Sequence, residues 1–180
     1  MFYVFDENCS RGTPAALPDG GSLIRWQPTA RRFIPRGATG LKWFVWAAFH
    51  YAGVFKTRDY SVIEISRDGA IVHRSGLFPK YWRFPFMRDS DLQIGDTWTE
   101  PHAQGRGLAV AALQAGIDVA QAKGVRLWYL TTRSNRPSIA VAERAGLRCA
   151  GAGLRRSRFG LRALGTFVLT APHDARQTHQ

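Results

Sequence analysis

Residues 97–113, TWTEPHAQGRGLAVAAL, contain the stretch that decides the fold. A polar turn runs into Gly105-Arg106-Gly107 and continues directly into an alanine-rich segment. Apolar side chains recur in that segment at the spacing of an amphipathic helix: Val110, Leu113, Ile117 and Ala120. Glycines at a helix start leave backbone amides exposed, so the turn is predicted to bind an anion.

Two kinds of phosphate-binding loop are excluded by the residues around this turn. A Walker A loop requires Gly-Lys-Ser or Gly-Lys-Thr, and neither tripeptide occurs in the chain. A dinucleotide-binding turn requires a third glycine three residues after Gly107, where this chain has Val110. It also requires an acidic residue about 20 positions further on, where this chain reads AKGVRLWY.

The remaining sequence predicts strands and helices around the turn. DYSVIEIS and AIVHRSGLF alternate apolar and polar residues on either side of RDGA, which predicts a β-hairpin with an Asp-Gly turn. Further strands are predicted at 91–99, 125–132 and 165–171, and a second helix within SNRPSIAVAERAGL. Residues 41–55 predict a helix or a helix–strand junction, 80–87 a loop over the sheet, and 155–162 a solvated basic loop. This order predicts one mixed sheet flanked by helices.

Composition limits the class of protein. The 180 residues are 45% hydrophobic and 12% aromatic, enough for one substantial core. The 25 Lys and Arg against 13 Asp and Glu attract anions in general: nucleic acid, anionic lipid or phosphorylated small molecules. Cys9 and Cys149 form no CxxC pair, so we expect no disulfide framework, no metal site and a cytoplasmic setting. No secretory signal or membrane-spanning segment is predicted.

The turn carries a family resemblance. Gln104-x-x-Gly107-x-Ala109, between a strand and a helix, resembles the acyl-CoA signature [QR]-x-x-G-x-[GA] of the GCN5-related N-acetyltransferase (GNAT) superfamily. The family pattern continues with a strand, an Asn, a small residue three positions on and a short helix; this chain supplies VRLWYLTT, Asn135, Ser138 and ERAGL. The resemblance covers residues 60–170. It implies a GNAT fold, an α/β (α+β) architecture with a central mixed, mostly antiparallel, splayed β-sheet flanked by helices.

The resemblance also implies the domain organisation and the ligands. One GNAT acyltransferase domain spans residues 1–172 and consists of a divergent acceptor-side part (1–55) and an acyl-CoA-binding core (56–172). A flexible tail (173–180) follows the domain. Acetyl-CoA or another acyl-CoA is the implied co-substrate and a small amine the acceptor, with no nucleic-acid partner. A homodimer is considered beside a monomer.

The resemblance places the CoA site around the turn. Backbone N–H groups would ring the pyrophosphate, Gln104 would add a donor, and the backbone of Trp98 and Thr99 would pair with the pantetheine arm. The implied CoA-binding residues are Trp98, Thr99, Gln104, Gly105, Arg106, Gly107, Leu108, Ala109, Asn135 and Ser138.

The general acid departs from the family pattern. Many members carry a tyrosine seven residues after the motif asparagine, and this chain has Ala142 there. Tyr129, on the preceding predicted strand, is the candidate substitute.

The general base departs as well. The glutamate that some members use aligns with Gln93, which cannot accept a proton at neutral pH. Nearby acids are Asp91, Asp96 and Glu100. His73 and Asp96 rank first: an unperturbed imidazole has a pKa near about 6.5, and Asp96 lies near the expected splay point.

The acceptor side is rich in aromatic residues and arginine. The aromatic candidates are Trp43, Phe44, Trp46, Phe49, Tyr51, Tyr81, Trp82, Phe84 and Phe86. The arginine candidates are Arg25, Arg31, Arg32, Arg36, Arg83 and Arg88. Aromatic platforms suit sugar rings, and arginines suit phosphate, so an amino sugar or nucleotide-linked amino sugar of surface-polysaccharide synthesis is favoured. The alternatives are a protein, peptide or amino-acid amine, and a catalytically degenerate CoA-binding or nucleic-acid-binding protein.

Overall fold

An extended β-sheet organises the chain, of which a computed structural model describes residues 1–17, 19–158 and 161–170. The strands within these residues are β1 (Phe2–Phe5), β2 (Gly21–Trp26), β3 (Ser61–Arg67), β4 (Ala70–Pro79), β5 (Leu92–Thr99), β6 (Leu127–Leu130), β7 (Arg148–Arg158) and β8 (Leu161–Thr170). The α-helices are α1 (Leu41–Tyr51), α2 (Leu108–Ala122) and α3 (Arg136–Arg144). The tail predicted to be flexible, residues 173–180, lies outside the described residues.

The sheet is mixed, with one parallel pair. Its strand order is β2-β3-β4-β5-β6-β1-β7-β8. Strands β5 and β6 are parallel, and the other neighbouring pairs are antiparallel. The predicted class, a mostly antiparallel mixed sheet flanked by helices, is therefore confirmed.

Local sequence signals fix several elements. The predicted hairpin is formed by β3 and β4, and its turn residues Asp68 and Gly69 have φ values of 50° and 77°, the left-handed backbone that a tight hairpin turn uses. Helix α2 begins directly after the glycine turn, as predicted, and it ends before Lys123. The side chain of Asn135 accepts a hydrogen bond from the Ser138 amide at 3.1 Å and so caps the start of α3.

The basic segment 155–162 departs from its prediction. We expected a solvated loop, but β7 runs through this segment as far as Arg158, and β8 begins at Leu161. Strand β7 pairs with β1 on one side and with β8 on the other. Strand β1 is distant in the sequence, and β8 follows β7 along the chain. Pairing with these strands outweighs the arginine- and glycine-rich composition that suggested a loop.

The N-terminal strand lies in the middle of the sheet. Strand β1 pairs with both β6 and β7, and the ammonium group of Met1 donates to the Thr131 carbonyl at 2.7 Å. The Phe2 ring occupies the space beside Gly153, where an added Cβ would lie 1.9 Å from a ring carbon. Glycine at 153 is what lets this aromatic ring pack against the neighbouring strand.

Two separate cores cover the two faces of the sheet. Alternate residues of β1 show the division, since Tyr3 and Phe5 join an aliphatic core while Phe2 and Val4 join an aromatic one. The aliphatic core contains the buried side of α2, including Leu113. The aromatic core combines α1 with the loop after β4; its members include Trp43, Phe55, Tyr60, Phe78, Tyr81 and Phe84.

A buried carboxylate joins β5 to β6 at the end where both strands begin. Asp91 is 1% exposed and receives hydrogen bonds from the Arg126 guanidinium, the Trp128 indole at 2.8 Å and the Arg88 amide at 2.9 Å. Arg126 and Trp128 flank the start of β6. The sequence raised Asp91 as a candidate base, whereas its oxygens are occupied by these donors.

Replacing Asp91→Asn is expected to destabilise the fold by about 2 kcal/mol, because the partly buried Arg126 and the Trp128 indole both lose a charged acceptor that is itself buried. Asp118→Asn is the matched control: it breaks an exposed pair with Arg11 and should cost under about 1 kcal/mol. Urea unfolding of both variants measures the difference. Equal, small losses would show that the Asp91 cluster does not hold the two strands.

Candidate functional site

Strands β5 and β6 separate after their third paired position. Their register ends at Ile94 opposite Tyr129. Immediately beyond, Asp96 has a left-handed φ of 49°, and the pairing of β4 with β5 shifts register between Arg74 and Gly76. This irregularity lies at the point where β5 leaves β6, and a gap remains between the ends of the two strands.

A central cavity of about 780 Å³ occupies this gap. The end of β5 supplies Gly95, Asp96 and Thr97, and β6 supplies Tyr129 and Leu130. Its other lining residues are Met1, Thr131, Thr132, Arg133, Asn135, Ser138, Ala152, Gly153, Leu154 and Phe167. Residues from both ends of the chain therefore meet at the splay.

Two further cavities adjoin the central one. The glycine-turn cavity, about 600 Å³, lies between the start of α2 and α3 and shares Thr97, Tyr129 and Ser138 with the central cavity. The aromatic cavity, about 250 Å³, shares Asp96 and Phe167 with it and is bounded by Trp46, Phe78, Tyr81 and Phe84. Through these shared lining residues, the three cavities follow one another from the α2 side of the sheet, past the splay, to the α1 side.

The glycine turn presents backbone to its cavity. Gly105 and Gly107 have φ values of 74° and 78°, and Gly107 caps α2 without a side-chain hydrogen bond to the first turn. Gly105, Gly107, Leu108 and Ala109 all line the cavity. A helix start with these features attracts an anion through its amide dipoles.

The other implied CoA-binding residues fall in different places. Thr99 lines the glycine-turn cavity, and Gln104 both lines it and donates to the Thr99 carbonyl at 3.3 Å. The Trp98 side chain lines a separate cavity on the opposite side of β5. Arg106 is exposed beside the turn.

Tyr129 stands at the junction of the central and glycine-turn cavities. Its side chain is 7% exposed; burial raises the pKa of the phenol, and a hydrogen bond with the Ser138 side chain opposes that rise. The phenol is therefore neutral at physiological pH and able to donate a proton. Ala142, where the family tyrosine was expected, is buried in the aliphatic core.

His73 is fully buried and is not among the lining residues of the three connected cavities. Its Nδ1 lies 2.8 Å from Thr99 Oγ1, and its Nε2 lies 3.0 Å from Ser75 Oγ, which is 3.0 Å from Thr97 Oγ1. Burial lowers the pKa of the imidazole to about 4, so the ring is neutral near pH 7. Two hydroxyls connect it to the central cavity.

Asp96 and Gln93 lie on the acceptor side of the splay. Asp96 is exposed, lines the central and aromatic cavities, and accepts a hydrogen bond from the Trp46 indole. Gln93 lines the aromatic cavity at 9% exposure, and its Oε1 has no hydrogen-bond partner among the described residues. Glu100 lies beyond β5, near His102.

The sequence did not single out three hydroxyls at this site. Ser75 and Thr97 connect His73 to the central cavity. Thr131 is 7% exposed and lines the central cavity, and within the described residues its Oγ1 has no hydrogen-bond partner. Ser75 and Thr97 are neighbours because β4 pairs with β5. The sequence alone does not give this pairing, so it could not identify the two hydroxyls as neighbours.

The arginines predicted for the acceptor side are dispersed. Arg32 and Arg36 line the cavity that also contains Trp98, about 640 Å³ in volume, and Arg83 lines the aromatic cavity. Arg25 donates to Ser61. Within the described residues, no group of three or more His, Cys, Asp or Glu side chains is placed to hold a metal ion. None of the described helices is long and apolar enough to cross a bilayer.

The burial of His73 predicts a pH dependence of stability. Since the folded-state pKa lies near 4 and the unfolded value near 6.5, protonation favours the unfolded chain as pH falls through this window, by up to about 3 kcal/mol. We expect His73→Gln to flatten this part of a pH–stability profile measured by urea unfolding. A profile of unchanged slope would contradict the proposed burial of a neutral imidazole.

Comparison with known proteins gives a family match. The model of the acetyltransferase (GNAT) family matches residues 26–147. A search of curated protein sequences finds no significant match.

Several solved structures share the fold. AAC(6')-Iy, in complex with the bisubstrate analogue CoA-S-monomethyl-acetylneamine, is 12% identical, with a TM-score of 0.56 over 77% of this chain and 97% of that chain. An aminoglycoside acetyltransferase from an uncultured soil metagenomic sample, in complex with sisomicin, is 10% identical, with a TM-score of 0.53 over 79% and 97%. A Drosophila protein is 20% identical, with a TM-score of 0.51 over 82% of this chain, which spans only 46% of that protein's length. At these identities the likeness shows the fold.

Proposed function

The chain belongs to the acetyltransferase (GNAT) family, and we propose that it moves an acyl group, most simply acetyl, from CoA directly to the amine of a small molecule. The series of adjoining cavities at the splay supports this proposal more than any other feature. It provides a glycine turn for an anionic cofactor at one end and an aromatic cavity for a second substrate at the other. The two substrates would meet at the central cavity.

The CoA half of the proposal rests on the start of α2. The amides after Gly107 would bind the pyrophosphate, and the glycine keeps the backbone accessible. Beyond Ile94 the edge of β5 that faces β6 forms no register with it. The pantetheine arm would pair there with the backbone of residues 97–99, where the Thr99 carbonyl also accepts a hydrogen bond from the Gln104 side chain. The thioester would then lie beside Gly95 and Tyr129.

Gly107→Trp is expected to abolish acetyl-CoA binding, because the indole would fill the space where the pyrophosphate approaches the amides. Gly53→Trp is the matched control, since Gly53 also has a left-handed φ, 68°, and open space around its Cβ position. Titration calorimetry with acetyl-CoA, after circular dichroism has confirmed folding, gives the measurement. Equal affinity of both variants would refute the site.

We propose that Asp96 acts as the general base and Tyr129 as the general acid. Asp96 accepts a proton from the bound ammonium, and the free amine nitrogen attacks the thioester carbonyl. A C–N bond forms, the C–S bond breaks, and the Tyr129 hydroxyl transfers its proton to the leaving thiolate. The nitrogen then gives up its second proton, through solvent, to the Tyr129 phenolate, and Asp96 releases the first proton to solvent, so that the products are the amide and CoA thiol. His73 is assigned a positioning role, because it does not line the cavities and its two ring nitrogens are hydrogen-bonded to Thr99 and Ser75, the second of which contacts Thr97 at the cavity wall.

Tyr129→Phe should lower kcat about 100-fold while leaving acetyl-CoA affinity within about twofold, since general acid catalysis contributes at least that much. Asp96→Asn should also lower kcat, because an amide cannot accept the proton of the bound ammonium. Steady-state thiol release and calorimetry separate these effects. Unchanged kcat in both variants would show that other groups move the protons.

The aromatic cavity supports a compact acceptor with a ring. Trp46, Tyr81 and Phe84 provide apolar walls. Gln93 Oε1, which has no hydrogen-bond partner in the described part of the chain, can accept a hydrogen bond from a substrate ammonium or hydroxyl. Residues 1–55 contribute Trp46, in keeping with the acceptor-side role proposed for them within a single domain. Arg32 and Arg36, beside Trp98, would suit the phosphate of a nucleotide-linked amino sugar.

An acceptor panel tests the substrate class. Thiol release from acetyl-CoA with amino sugars, nucleotide-linked amino sugars, aminoglycosides, amino acids and peptides would rank the candidates, and the aminoglycoside complexes named above make amino-sugar compounds the first to screen. Preference for nucleotide-linked amino sugars would support a place in surface-polysaccharide synthesis, in the cytoplasm. Turnover of peptides alone would contradict a small-molecule acceptor, and no turnover would favour a CoA-binding protein without catalysis.

A further inference from the structure

Helix α1 is apolar on both its inner and its outer side. The inner side packs into the aromatic core, where Trp43 is 4% exposed and Ala47 6%. Leu41 and Phe44 on the outer side are 78% and 53% exposed. A surface helix of a globular protein normally turns charged residues outward, so this helix departs from the usual pattern.

The exposed residues form one continuous stripe. Leu41, Phe44, Val45 and Ala48 are all exposed, and their spacing of three and four residues places them on one face of a helix. We call this set the outer face of α1. An exposed apolar face of this kind marks a contact surface.

The surroundings of the outer face are cationic. Between residues 20 and 58 the chain contains seven basic residues and no acidic one: Arg25, Arg31, Arg32, Arg36, Lys42, Lys56 and Arg58. The segment before α1 lies alongside the helix. At the end of α1, the Tyr51 hydroxyl donates a hydrogen bond to the Thr29 carbonyl at 2.9 Å. At the start of α1, Gly40 is the N-cap residue. Residues 29–40 therefore run back beside the helix and carry exposed Arg31, Arg32, Phe33 and Arg36.

We propose that the outer face of α1 and the basic residues beside it dock on the surface of a bilayer containing anionic lipids. Apolar side chains would enter the boundary between headgroups and acyl chains, and the exposed side chains of Arg31 and Lys42 would bind lipid phosphates. The helix lies in the plane of the surface and does not cross it.

The combination of apolar stripe and one-signed charge favours this partner over others. A symmetric contact between two copies would place the same cationic segment of each chain near its counterpart, which is electrostatically unfavourable. A nucleic acid would satisfy the arginines but leave Leu41 and Phe44 in water. An anionic bilayer satisfies both features.

Vesicle co-sedimentation of the full chain tests the proposal. Wild type should bind mixed phosphatidylcholine–phosphatidylglycerol vesicles much more tightly than phosphatidylcholine alone. The double variant Leu41→Ser with Phe44→Ser should bind the mixed vesicles about tenfold or more weakly, since two apolar side chains no longer enter the interface. Leu17→Ser, an exposed apolar residue outside α1, should bind as wild type does.

A second variant tests the proposal even if the Leu41→Ser, Phe44→Ser variant does not fold. Arg31→Glu with Lys42→Glu should weaken binding to mixed vesicles by about 30-fold or more, because two basic residues near an anionic surface contribute about 1 kcal/mol each and a tenfold change corresponds to about 1.4 kcal/mol. Binding of Leu41→Ser with Phe44→Ser at the wild-type level would overturn the proposal by reducing it to general electrostatic attraction. Failure of wild type to bind any vesicle would also overturn the proposal. So would a dimer of the wild-type chain that becomes monomeric in the Leu41→Ser, Phe44→Ser variant, because the outer face of α1 would then be a contact between two copies.

Discussion

The buried carboxylate of Asp91 holds β5 and β6 together where both strands begin. Parallel strands in a continuous sheet would otherwise pair along their whole length. Here the closed end is tied by a side-chain cluster that includes Arg126 and Trp128, and pairing stops three residues later at Ile94 and Tyr129. The open end therefore has a fixed position, and the central cavity depends on this asymmetry.

The rest of the sheet supports the opening from both sides. On one side β4 shifts its register against β5 and brings Ser75 next to Thr97. On the other, β1 pairs along β6 and carries Met1 to the cavity wall. The two faces of the sheet at the splay differ in the ligand that they suit. On one face, the start of α2 lines the glycine-turn cavity and suits an anion. On the other face, residues of the aromatic core line the aromatic cavity.

Local patterns predicted what local interactions determine. The turn residues around Gly107, the cap at Asn135 and the Asp68-Gly69 hairpin were all readable from short stretches, because backbone conformation and capping act over a few residues. The central place of β1 was not, since it depends on pairing with strands more than 120 residues away. The burial of His73 likewise depends on packing that no sequence periodicity reveals. The same holds for Gln93 Oε1 and Thr131 Oγ1, which are buried without a hydrogen-bond partner among the residues that the structure describes.

Hydrogen exchange with and without acetyl-CoA tests the central claim, that the open ends of β5 and α2 hold the cofactor. The account predicts slowed exchange at the amides of residues 97–99 and 105–110, where bound CoA would cover or pair with backbone. Residues 92–94, already paired between β4 and β6, should exchange at the same rate in both states. Protection confined to the cavity around Arg32 and Trp98, or no change at the glycine turn, would contradict the account.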